Sequence, residues 1–268
     1  MTDWTPAHDH NRRAWDRLVQ EKQHFTRPAP DEDFRDPLGK IDPWGWLGGD
    51  IRGWSVLCLA AGGGKHAALY AAAGAQVTVV DISPAMLELD RAVAAERRLE
   101  LRTIATSMDD LSMLARDQFD LVIHPVSTCY VPHIAPVYRE VARVTRPGGL
   151  YISQHKQPTS LQAAVSPSDH GYELVEPYYR SGPLPAVFGS PHREPGTLEF
   201  LHRWEEIIGG LCRAGFVIED LVEPSHAKLD APVGSFAHRS QFVAPYVRIK
   251  ARRLQTGPAM PRSRQLIL

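Results

Sequence analysis

Asp81 closes the apolar run Val77-Thr78-Val79-Val80, and an earlier run, Val56-Leu57-Cys58-Leu59-Ala60-Ala61, leads into Gly62-Gly63-Gly64. These types and spacings describe two strands joined by a glycine turn and a helix, with a carboxylate where the second strand ends. Glycine lets backbone approach a ligand with no Cβ between them, and the following helix points its N-terminal amides at the same place. A carboxylate there accepts hydrogen bonds from both hydroxyls of a ribose. The chemistry implied is binding of a nucleoside-containing cofactor. The turn alone does not choose between nucleotide families, because Gly62-x-Gly64-x-x-Ala67 also fits the dinucleotide fingerprint. A phosphate-gripping loop is excluded: His66 follows Gly64-Lys65 where Ser or Thr is required, and Leu59 stands at the first glycine position. Lys65 is therefore expected to be a solvated first-turn residue.

The rest of the composition narrows the class. A chain of 268 residues predicts one domain with an embellishment, large enough to fold without a metal or disulfide staple. A net charge of -1 gives no electrostatic reason to expect nucleic acid or an anionic membrane, and no stretch approaches the length of an apolar span. Cys58, Cys129 and Cys212 lie far apart, which predicts buried or structural thiols in a reducing, cytoplasmic setting and no metal site. Met1-Thr2-Asp3-Trp4 does not open an apolar leader.

Around the turn, the texture alternates. Strands are expected over 55–60, 76–81, 99–104, 119–124 and 148–154, with helices over 64–73, 84–97 and 133–145. Ser83-Pro84 starts the second helix with a cap and a first-position proline, and Arg146-Pro147-Gly148-Gly149 stops the third. Alternation of this kind gives a parallel sheet with helices on both faces. Ahead of it, 11–24 reads as an amphipathic helix and 26–50 as an irregular arm, so that 1–50 forms a cover. Residues 156–201 carry seven prolines and read as an inserted loop or lid within a domain spanning 51–253. A helix over 202–214, a strand from Gly215-Phe216-Val217-Ile218 and a last strand over 242–250 follow, the two strands pairing antiparallel. The segment 254–268 reads as a tail.

Five segments together resemble the class I S-adenosylmethionine (SAM)-dependent methyltransferases, in particular the small-molecule, type 11 group. They are Val56 to Gly64, Val80-Asp81-Ile82-Ser83-Pro84-x-Met86-Leu87, Ser107-Met108-Asp109-Asp110-Leu111, Phe119-Asp120-Leu121-Val122-Ile123 and Arg146-Pro147-Gly148-Gly149. The resemblance is strong over 54–155 and recognisable over 202–253. It implies a Rossmann-like three-layer sandwich whose seven-stranded sheet is mostly parallel, with an antiparallel C-terminal strand. It also implies that Ala60, Ala61, Gly62 and Gly64 line the methionine part of SAM, that Asp81 holds the ribose, and that Ile82 and Met86 flank the adenine. Met108 would pack on the ring, Ser107 and Asp109 would lie near its exocyclic amine, and the His124 carbonyl would lie near the methionine ammonium. The chain departs from the family in having Cys58 where an acid is usual and Ala60 where glycine is usual.

Methyl transfer needs a nucleophile in line with the sulfonium, and a base only if the acceptor must lose a proton. Candidates by position are Tyr130 and His133 after the fourth strand, His155 after the fifth and His202 after the insertion. His155 comes first, because strand carboxyl ends face the crevice in such sheets. Trp15, Trp44 and Trp46 could close over the site from the N-terminal arm. His124-Pro125-Val126-Ser127 is not the signature of enzymes that methylate adenine or glutamine amides, and Cys129 lacks the preceding proline of cytosine-C5 enzymes. A small organic acceptor is therefore expected over nucleic acid, with a protein acceptor and the state, monomer or homodimer, left open. The rival readings are an NAD-dependent oxidoreductase, which requires neither the terminal hairpin nor Ser107 to Leu111, and a catalytically silent protein that kept the fold to bind a ligand or partner.

Overall fold

The structure is a computed structural model that describes residues 5–187, 190 and 192–255. The expected tail falls almost wholly outside the described residues, as does the start of the chain. Strands β1 (Ser55–Leu59), β2 (Gln76–Asp81), β3 (Leu101–Ala105), β4 (Phe119–His124), β5 (Thr145–Lys156), β6 (Phe216–Val222) and β7 (Tyr246–Arg253) form one sheet in the order β3-β2-β1-β4-β5-β7-β6. The first five run parallel, and β7 is antiparallel to both β5 and β6. Strand order reverses between β1 and β4, and the crevice beyond the strands' carboxyl ends at such a point is where ligands bind in open α/β sheets.

Alternation along each strand builds two cores. Val56 and Cys58 face one side with Tyr70 and Leu87, whereas Leu57 and Leu59 face the other with Val137, Tyr138 and Val141. Helices α3 (His66–Ala72) and α4 (Pro84–Arg97) cover the first face, and α5 (Ile134–Val144) covers the second. The same parity runs along β5, with Leu150 and Ile152 on the α3 face and Tyr151 on the α5 face.

Several boundaries differ from expectation. Helix α1 spans Pro6–Gln20, because Thr5 caps it (the His8 amide donates to Thr5 Oγ1, 3.4 Å) and Pro6 occupies its first turn. The arm that follows is more ordered than its prolines suggest, with two 3-10 turns and a short helix α2 (Pro37–Ile41). The insertion holds α6 (Pro158–Gln162), β5 runs to Lys156, and the helix expected over 202–214 is a π turn, Glu205–Gly209, leading into α7 (Gly210–Arg213). The last strand begins at Tyr246, four residues after its expected start at 242. No helix among the described residues is long and apolar enough to cross a membrane.

Candidate active site

Two buried carboxylates hold the glycine turn. The Gly62 amide donates to Asp81 Oδ2 and the Ser83 amide to Asp81 Oδ1, both at 2.9 Å. The Gly63 and Gly64 amides donate to Asp90 Oδ2 and Oδ1, each at 3.0 Å. Asp90 lies on the inner face of α4 and is 0% exposed. Burial outweighs these hydrogen bonds and pushes the Asp81 carboxyl up to about 6. Burial likewise raises Asp90 to about 7, with a smaller contribution from the Asp81 charge. The turn is thus gripped from α4, while Cys58 is a wholly buried part of the apolar core. At Gly62 a Cβ would meet Met86 Cβ at 2.8 Å and Asp81 Oδ2 at 2.9 Å, so only glycine fits.

Ala60 adopts φ 45°, the left-handed region that usually demands glycine. Ala60→Gly should relieve about 1–2 kcal/mol of strain, offset by roughly 0.4–1 kcal/mol of added unfolded-state entropy. The expected net result is a stabilisation of up to about 1.5 kcal/mol, read as a higher urea midpoint at unchanged m-value. A lower midpoint would show that the Ala60 methyl makes contacts worth more than the strain.

A cavity of about 430 Å³ opens over the turn. Ala60, Ala61, Gly62, Asp81, Ile82 and Met86 line one end, and Ser107 and Met108 join them from the loop after β3. Asp81 keeps only 8% exposure, and that edge faces the cavity. Three residues expected at the cofactor lie behind this wall. Gly64 is bound to Asp90, and Asp109 sits 3.2 Å from the ring of His8, which does line the cavity. His124 is buried with Nδ1 2.8 Å from the Tyr151 hydroxyl, whereas Pro125, Val126 and Ser127 just beyond it reach the surface of the cavity.

The expected base does not face the cavity. His155 lies on the α5 side of β5, with Nδ1 2.9 Å from Thr128 Oγ1 and Nε2 2.8 Å from Ser153 Oγ. Burial drives its pKa down to about 3, so it is a neutral, doubly engaged core residue. Strand parity explains the error: Gln154, one residue earlier, is the one that points into the cavity. His202 is also buried, donating from Nε2 to the Thr128 carbonyl at 2.9 Å, and His133 is exposed at the start of α5. Tyr130 does line the cavity, but its hydroxyl donates to Glu194 Oε2 at 2.6 Å, and burial and that carboxylate hold the phenol firmly protonated.

The opposite end of the cavity uses residues that the sequence did not single out. Gln154, Tyr246 and Arg248 come from adjoining strands, His66 from the start of α3, and His226 from the loop after β6. His66, lowered to about 4 by burial and then by Lys65 and Arg248, is neutral at pH 7. Glu194, from the insertion, is held ionised by Lys156, whose ammonium lies 2.7 Å away.

Trp15 lines the cavity edge-on to Tyr130, with ring centres 5.6 Å apart. Asn11 of α1 donates from Nδ2 to the Tyr130 and Leu198 carbonyls (2.8 and 3.0 Å) and accepts from the Leu198 amide (2.7 Å). That one side chain ties the N-terminal helix to the insertion. Trp46 instead donates to Asp220 Oδ2 at 2.9 Å, and Trp44 lies beneath Arg248.

Comparison with known proteins agrees with this geometry. Residues 57–153 match the family model described as a methyltransferase domain. The chain is 34% identical over 228 residues to the methyltransferase YbaJ of Bacillus subtilis, covering 80% of this chain and 89% of that protein. Its fold is similar to a SAM-dependent methyltransferase from Mesorhizobium loti (TM-score 0.64, 22% identity, 82% of this chain and 100% of that one). It is also similar to geranyl diphosphate C-methyltransferase from Streptomyces coelicolor, solved with S-adenosylhomocysteine (TM-score 0.60, 16% identity, 93% and 99% covered). A Rossmann-like sheet whose glycine turn and strand-end carboxylate face one cavity defines a nucleoside-cofactor enzyme. The chain belongs to the SAM-dependent methyltransferase family.

Proposed function

We propose that this chain transfers a methyl group from SAM to a small-molecule acceptor, with both bound in the single cavity between the glycine turn and β7. The observation that carries the reading is the continuity of that cavity, from Asp81 and Gly62 at one end to Gln154, Tyr246 and Arg248 at the other. The residues suit the cofactor: Gly62 offers a surface no other residue could, and each Asp81 oxygen keeps a lone pair beyond its backbone bond. When bound, SAM supplies a methyl group already activated by its sulfonium.

The protein's part is then positioning and shielding. Asp81 receives the ribose hydroxyls, Met86 and Ile82 pack against the base, and Ser107 and Met108 bound it from the other side. Trp15 and Tyr130 exclude water above the reacting centre. For an acceptor that must lose a proton, the neutral imidazoles of His66 and His226 are within the cavity; His155, His202 and Tyr130 are all engaged elsewhere.

Calorimetry should show S-adenosylhomocysteine binding in the micromolar range and no heat from NAD, and methyl-tritiated SAM should pass label to a small molecule in mixed metabolite extracts. Heat from NAD and none from S-adenosylhomocysteine would reverse the reading in favour of a dinucleotide enzyme. Tight S-adenosylhomocysteine binding with no label transferred to any extract would favour a silent binding protein.

A further inference from the structure

The geometry points to an acceptor that carries an oxyanion, a carboxylate or a phosphate group, seated on the Arg248 guanidinium in a cavity that Lys65 also lines; this rests on the methyl-transfer reading above. Arg248 lines the cavity from β7, about four strand spacings from Asp81 on β2, roughly 19 Å across the sheet. Its backbone therefore lies well away from the strand that carries the ribose carboxylate.

Its surroundings form a built socket. Nε donates to Gln154 Oε1, its register partner on β5, and the guanidinium lies 4.6 Å from the centre of the Trp44 ring. These two contacts fix its plane and leave both terminal nitrogens without a partner among the described residues. Such a fork matches two oxygens of a carboxylate or phosphate. Every carboxylate nearby that lines the cavity is engaged elsewhere: Asp81 by the glycine turn and Glu194 by Lys156 and Tyr130. Lys65 is exposed at the cavity edge with no ion pair among the described residues. His66 and His226 complete the wall, and both are lowered in part by the Arg248 charge, so they add no competing cation at neutral pH.

A half-buried guanidinium without a counter-ion is costly. A bound oxyanion supplies the missing charge, fixes the acceptor by one end and leaves its nucleophilic atom to project toward the cofactor.

The test uses the full chain saturated with S-adenosylhomocysteine and titrated calorimetrically with benzoate, with pyrophosphate and with neutral benzamide. At least one anion should bind while benzamide gives no heat, and which anion binds separates the carboxylate from the phosphate source. Arg248→Gln should weaken that anion at least tenfold, and Arg248→Lys, which keeps the charge but not the fork, should fall between. Affinity for S-adenosylhomocysteine should be the same in all three proteins, which also shows that the variants fold. The proposal is overturned if neither anion binds the saturated enzyme, or if Arg248→Gln binds it as tightly as the parent. Failure of S-adenosylhomocysteine to bind would instead remove the methyl-transfer reading.

Discussion

Asp81→Ala is expected to weaken S-adenosylhomocysteine binding ten- to a hundredfold, the scale of about 1.5–3 kcal/mol for hydrogen bonds to a charged acceptor. The carboxylate lies between the Gly62 and Ser83 amides and faces the cavity, so its loss removes the sugar's acceptor and frees the turn together. Asp81→Asn should do almost as much harm, because its NH2 must oppose one of those two backbone amides. The effect should depend on pH in a defined direction. Burial raises the unliganded carboxyl to about 6, and hydroxyl donors favour the ionised form, so binding should hold above pH 6 and weaken as pH falls through it. Affinity flat from pH 5 to 8, with Asp81→Ala unchanged, would reduce Asp81 to a strand terminator.

A second large effect should appear in folding stability, at Asp90. Its carboxyl is raised from 3.8 to about 7, chiefly by burial, so the native state holds a proton that the unfolded chain has released. Where the native state binds more protons, stability falls as pH rises. The loss should begin near pH 4, run through pH 7 and reach roughly 4 kcal/mol at about 1.4 kcal/mol per unit. Asp90→Asn abolishes this titration and, like Asp81→Asn, sets an NH2 against a backbone amide. It should be less stable than the parent by about 1–3 kcal/mol at pH 5, and the gap should narrow toward pH 8 as the parent's carboxylate ionises. Asp81 titrates in both proteins, so the difference reports chiefly Asp90 and its interaction with Asp81. Parallel urea-unfolding profiles across that range would show that Asp90 does not bear the proton.

The contrast between these two acids shows what was legible in the sequence. Asp81 announced itself because strand, turn and carboxylate are close in the chain and the strand's end fixes where it points. Asp90 did not, because its partners at Gly63 and Gly64 lie across a helix packing that no local pattern encodes. A signal was nevertheless present: Asp90 stands in register with Met86, Leu87, Val93 and Ala94 on the buried stripe of its helix. An acid at such a place needs partners.

The acceptor end was less readable for a different reason. Strand 5 is expected over 148–154, but its continuation to Lys156 is not, and one residue of phase decides between Gln154 in the cavity and His155 in the core. Arg248 sat within a segment read only as a terminal hairpin, and its importance depends on pairing with Gln154 far away in sequence. The start of α1 was missed although Thr5-Pro6 carries the same signature that correctly opened α4 at Ser83-Pro84.

Asn11 spends both ends of one amide on two distant parts of the chain, so the roof over the cavity behaves as a hasp. Parting along that seam breaks the three Asn11 hydrogen bonds together, and with them the contact of the His10 ring with the Gly196 carbonyl. On the methyl-transfer reading, opening of that roof is expected to admit reactants, discharge products and expose the sulfonium to hydrolysis together.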